Sequence, residues 1–134
     1  MELRRILVVD DEPQLASLMA RFLERLGFEV HAAAATEEAW EVLRGAPGTY
    51  ALAVIDLTMP GLSGEDLARQ ALAADAALRV LLASGYATDL TSLQSDFGGR
   101  VEFLHKPFSA DMLSETVRHL LRKPGDRRDV SSSE

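Results

Sequence analysis

A doubly wound α/β fold, a five-stranded parallel sheet with helices on both faces, is what this sequence predicts. Three observations lead there. Short β-rich runs alternate with longer stretches of helical spacing, the order that builds parallel strands joined by crossover helices. Three of the five runs are continuously apolar, as strands buried on both faces tend to be. The chain has 134 residues, enough for one well-packed core and too few for a second domain beside it.

Taken in order, the strand candidates are ILVV (6–9), FEVHAA (28–33), ALAVI (51–55), RVLLA (79–83) and VEFL (101–104). Leu15, Leu18, Met19, Phe22 and Leu26 recur at helical spacing, and Gly27 follows as a C-terminal stop. Thr36 with Glu37, Glu38 and Trp40 opens a second helix, and Ser63-Gly64-Glu65-Asp66 a third. A fourth, over Thr88 to Ser95, has few apolar positions and runs into Phe97-Gly98-Gly99, so a short or mobile element is expected there. Ser109 and Asp111 cap a fifth helix that carries Met112, Leu113, Val117, Leu120 and Leu121. From Arg122 onward the periodicity is lost. Residues 1–122 therefore read as one domain, and 123–134 as a flexible tail or linker stub.

Composition removes several classes of function. The formal charge of −7, from 14 basic and 21 acidic residues, leaves no basic stripe for nucleic-acid phosphates. With no cysteine, disulfides, thiolate ligands and thiol nucleophiles are excluded. No stretch approaches the roughly 18 apolar residues of a membrane span, and the start is too short in apolar residues for a signal peptide. The reading is a cytoplasmic soluble protein that contacts neither nucleic acid nor membrane.

In doubly wound sheets, ligands bind beyond the carboxyl ends of the strands. The residues there are Asp10 and Asp11, Asp56, Ser84, and His105-Lys106-Pro107. Asp10, Asp11 and Glu12 repel one another at neutral pH. A helix N-terminus tolerates acids, which accounts for that cluster but not for Asp56, which ends a buried strand and precedes a turn-rich loop. Magnesium prefers oxygen ligands and takes one or two carboxylates from a protein; Asp11 and Asp56 suffice. Lys106 at the last strand end reaches an anion held there, and Ser84 donates a hydrogen bond to it. A carboxylate, a metal and a fixed cation around one space suit phosphoryl transfer, with Asp56 as nucleophile.

Four motifs then stand in order: VVDDEP (8–13), VIDLTMPGLSG (54–64), LASGYA (82–87) and FLHKPF (103–108). With them the chain resembles the receiver domain of two-component response regulators over roughly residues 4–122, and LASGYA is similar to receivers attached to hybrid histidine kinases. The resemblance implies a flavodoxin-like (βα)5 sandwich with strand order 2-1-3-4-5. It implies that Asp56 accepts a phosphoryl group from a histidine kinase or histidine phosphotransfer protein. Magnesium, with manganese as a substitute, would be bound by Asp11, Asp56 and the Thr58 backbone carbonyl, with Asp10 acting through water. Lys106 would contact the phosphoryl oxygens, Ser84 would shift to hydrogen-bond them, and Phe103 would turn inward as the switch aromatic. Thr58 and Tyr86 would tune access of water to the acyl phosphate. The Lys106-Pro107 bond would be cis. The fourth helix, fifth strand and fifth helix would form the face that repacks for a downstream protein or a tethered output domain. Such a domain assists only its own phosphorylation and dephosphorylation.

Two other readings compete. A degenerate receiver would keep the fold and bind partners without phosphate. A small magnesium-dependent phosphatase would need a substrate-selecting cap, and the loops here are short.

Overall fold

The computed structural model describes residues 4–58, 63–85 and 91–122. Its strands are β1 (Arg5–Val9), β2 (Glu29–Ala33), β3 (Tyr50–Asp56), β4 (Arg79–Ser84) and β5 (Val101–His105). They alternate with α1 (Pro13–Arg25), α2 (Thr36–Gly45), α3 (Gly64–Ala74), α4 (Thr91–Phe97) and α5 (Ala110–Arg122), and a single 3-10 turn (Gly98–Arg100) leads into β5. The strands are parallel in the order β2-β1-β3-β4-β5, the flavodoxin-like arrangement expected from the sequence.

Alternation along the strands sorts the core into two layers. Ile6 and Val8 of β1, with Val54 and Leu81, pack against Met19 and Leu23 of α1 and Val117 and Leu120 of α5. Leu7 and Val9, with Ile55 and Leu82, face Leu43 of α2, Leu67 and Leu72 of α3, and Leu93 of α4. Both faces of the central strands are thus buried, which is why β1, β3 and β4 read as unbroken apolar runs. Each fully buried leucine or isoleucine contributes about 1.5–3 kcal/mol of transfer free energy.

Local signals set most element ends. Pro13 stands in the first turn of α1, where its missing N–H costs nothing. Beyond that helix Gly27 adopts φ +103° and donates its N–H to the Glu24 carbonyl at 3.0 Å, the left-handed stop that glycine favours. Ser63 caps α3 by accepting from the Asp66 amide at 3.0 Å, and Ser109 accepts from the Met112 amide at 3.1 Å ahead of α5. Thr36 opens α2 as expected and is its fully buried first helical residue, while Ala35 before it occupies the extended cap position without a side-chain bond. One boundary is corrected. The fourth helix is described over Thr91–Phe97 and not to Ser95 alone; residues 88–90 of the expected span lie outside the described residues, as does the tail from 123.

The second half of α4 is held by polar groups that apolar periodicity does not reveal. Leu93 is the one buried residue of this seven-residue helix. Arg69 of α3 spans it, donating to Asp96 at 2.6 Å and to Ser92 at 3.0 Å. The Arg69 and Arg100 guanidinium groups stand 5.9 and 5.8 Å from the Phe97 ring centroid.

Candidate functional site

The sheet ladder carries the site residues past the strand ends. Asp10 N–H bonds to the Ala33 carbonyl at 3.1 Å, Leu57 N–H to Ala83 at 2.8 Å, and Lys106 N–H to Ser84 at 2.8 Å. Asp10, Asp56 and Lys106 are therefore fixed by backbone pairing to neighbouring strands, and their side chains meet on one rim. Carboxylate oxygens of Asp10, Asp11 and Asp56 all lie within 4.8 Å of one another. The Lys106 ammonium is 3.3 Å from Asp56 Oδ2 and 3.9 Å from Asp10 Oδ2.

Asp56 is 5% exposed and Asp10 2%, so two acids share a largely dry site. Asp56 Oδ1 accepts from the Thr58 amide at 3.0 Å and from the Thr58 hydroxyl at 2.8 Å. Asp10 Oδ1 accepts from the Glu12 amide at 2.9 Å, whereas its buried Oδ2 has no hydrogen-bond partner. Buried polar atoms are nearly always paired, and an oxygen left without a hydrogen bond beside two more carboxylates suits a cation ligand. The donor set is all hard oxygen, and it fits magnesium.

Burial, above all, lifts the Asp10 carboxyl above its ordinary 3.8, and the charges of Asp56 and Asp11 add to the rise against the pull of the Glu12 amide and Lys106. The folded form then keeps its proton to higher pH than the unfolded chain. In the window above 3.8 the folded state binds more protons, so stability falls as pH rises through the folded value. Asp10→Asn is accordingly expected to raise the thermal midpoint of the metal-free protein at pH 7 by about 3 °C or more. The gain should shrink toward pH 4, and scans at both pH values check the sign.

Ser84 ends β4 and is 2% exposed. Leu82 pairs with Phe103 and Ser84 with His105, so Ser84 and Phe103 share the sheet face that carries α4. Phe103 is half-buried against that layer, with the His105 ring edge-on at 6.3 Å. The Lys106-Pro107 peptide is cis. Tyr86 lies outside the described residues.

In the sequence Gly64 stands out only as part of the opening of the third helix and the end of one motif. A methyl group built there would stand 3.0 Å from Leu57 Cδ2, 3.1 Å from Ile55 Cγ2 and 3.2 Å from the Asp56 carbonyl oxygen. The start of α3 thus packs closely on Ile55, Asp56 and Leu57, and an added Cβ would force these neighbours to shift by a few tenths of an ångström. Gly64→Ala is expected to lose about 1–3 kcal/mol of stability, measured by urea unfolding.

Residues 6–118 match the response regulator receiver domain family. The chain belongs to that family. Over 118 residues this receiver domain is 32% identical to the sensor kinase CckA of Brucella abortus, covering 88% of the chain and 12% of CckA. Over 121 residues it is 33% identical to the C4-dicarboxylate transport transcriptional regulatory protein DctD of Pseudomonas aeruginosa, covering 87% of the chain and 25% of DctD. It thus spans a quarter or less of these relatives' length. Its fold superposes on the response regulator protein TrrA of Thermotoga maritima, solved in complex with Mg(2+)-BeF, with a TM-score of 0.76 and 33% identity over 89% of this chain and all of that one. The receiver domain is a regulatory, phosphoaccepting signalling module of two-component systems, and its relatives join such modules to kinases and to transcriptional regulators. Among the described residues no helix is long and apolar enough to cross a membrane.

Proposed function

We propose that Asp56 accepts a phosphoryl group from the phosphohistidine of a kinase or phosphotransfer protein, and that residues 1–122 are the unit that does so, with 123–134 as tail or linker. The observation that carries this reading is the placement of the Lys106 ammonium 3.3 Å from Asp56 Oδ2, beside the three-carboxylate cluster. The Asp56 carboxylate attacks phosphorus, an O–P bond forms as the P–N bond breaks, and the donor imidazole leaves with the bonding pair. Asp11, Asp56 and the Thr58 carbonyl would hold magnesium or manganese, with Asp10 through water, and the cation supplies neutralisation of the phosphoryl charge. Lys106 binds a phosphoryl oxygen through its ammonium, and Ser84 donates its hydroxyl to another.

Occupancy of Ser84 by the phosphoryl group draws Phe103 inward on the shared face, and the α4–β5–α5 surface repacks toward one partner-binding state. That surface carries exposed Met112 and the Glu102–His119 pair, and its occupant is a downstream protein or a tethered output domain. On this reading the phosphodonor docks apart from that surface, against α1. A groove of about 360 Å³ between α1 and the start of α5 is lined by Leu15, Leu18, Met19, Phe22, Phe108 and Leu113. Leu15 and Phe108 also line the recess beside Lys106, so the groove adjoins the site. Tyr86 and Thr58 then limit attack of water on the acyl phosphate, and the domain acts in the cytoplasm without touching nucleic acid.

The test is transfer from a radiolabelled phosphohistidine protein to this chain with magnesium present. Label should move to the parent; failure to move from several such donors, together with failure of small-molecule donors, would overturn the reading.

A further inference from the structure

Asp56 presents its two oxygens unequally. Oδ1 accepts both Thr58 donors, the amide at 3.0 Å and the hydroxyl at 2.8 Å, while Oδ2 faces Lys106 at 3.3 Å. A carboxylate has about four lone-pair positions over its two oxygens, so Thr58 fills both positions of Oδ1. Phosphoryl acceptance beside a cation calls on both oxygens, one toward the cation and the other toward phosphorus. At least one Thr58 bond must therefore open before the reaction can proceed. The amide is fixed by the chain leaving β3, whereas the hydroxyl moves by rotation about one side-chain bond, and Thr58 is exposed enough to allow it.

We propose that the Thr58 hydroxyl is a positioning group that holds Asp56 Oδ1 in the metal-free protein and is displaced when the cation binds. Its cost is a weaker metal site. Its benefit is a nucleophile kept in one rotamer and shielded while no cation is present. The inference rests on the phosphoacceptor reading of Asp56 and adds to it a competition between one hydroxyl and the metal.

The experiment is a magnesium titration, with no phosphoryl donor, of the parent, Thr58→Val and Thr58→Ser by calorimetry or by amide chemical shifts. Valine keeps the shape of threonine and removes the donor at an exposed position, so the fold should persist, which the amide spectrum checks directly. Thr58→Val is expected to bind magnesium about three- to tenfold more tightly, the equivalent of one lost hydrogen bond, and Thr58→Ser to match the parent. A valine variant that binds no better than the parent, with the parent binding normally, would overturn this inference alone. A parent that binds no magnesium would overturn the phosphoacceptor reading and this inference with it.

Discussion

Asp56→Asn is expected to fold as the parent does and to take up no phosphoryl group. The amide keeps the size of the carboxylate and still offers an acceptor to the Thr58 amide and hydroxyl, which sit 3.0 and 2.8 Å from Oδ1. Lys106 loses the partner 3.3 Å away but keeps Asp10 Oδ2 at 3.9 Å, so no ammonium is left without a counter-charge. What disappears is the nucleophile, because the amide does not attack phosphorus. The expected loss is at least about 100-fold in the rate of phosphoryl incorporation, in line with removal of a covalent catalytic group. Metal affinity should fall too, since one of three clustered carboxylates is gone. Circular dichroism and thermal scans confirm the fold, and the phosphorylated fraction reads the chemistry. A variant that is labelled as well as the parent would place the acceptor elsewhere.

Arg100→Ala is expected to cost about 3 kcal/mol or more and to lower the thermal midpoint by roughly 10 °C. Arg100 is 3% exposed. Its guanidinium donates to the carbonyls of Leu72 and Leu78 at 3.0 Å and also to the Asp75 carbonyl. These close the C-terminal end of α3 and its turn into β4, where helix carbonyls lack partners of their own. Truncation strips three buried or part-buried acceptors at once, each at about 1–3 kcal/mol when left unpaired, with water entry recovering part of the sum. Phe97 also loses one of the two cations near its ring. Arg100→Lys should recover only part of the loss, because an ammonium cannot match a planar fork. Urea unfolding measures both variants, and a loss under 1 kcal/mol in the alanine variant would contradict the account.

Most of the sheet is legible in the sequence because burial on both faces leaves unbroken apolar runs. The predicted spans fall within a residue or two of β1 to β5. The rim follows from topology, since strand ends in a doubly wound sheet converge whatever their sequence separation; Asp10, Asp11, Asp56 and Lys106 do meet there. Side-chain partnerships are less legible. Thr36 opens α2 as its chemistry suggests, yet its full burial is not visible in the pattern. Arg100 looks like a surface charge until the carbonyls around it are seen. Gly64 matters for what its missing side chain would strike. The unequal pairing of the Asp56 oxygens depends on a rotamer of Thr58 that no pattern encodes.

The central claim is that Asp56 is a working phosphoacceptor in a cation-dependent site. Its most direct test is the intact mass of the protein after incubation with acetyl phosphate, with and without magnesium. The account predicts a gain of one phosphoryl group only when magnesium is present, localised by peptide mapping to Asp56. No gain in well-folded protein, or a gain indifferent to magnesium, would contradict it; the former would point to a receiver that binds its partners without phosphate.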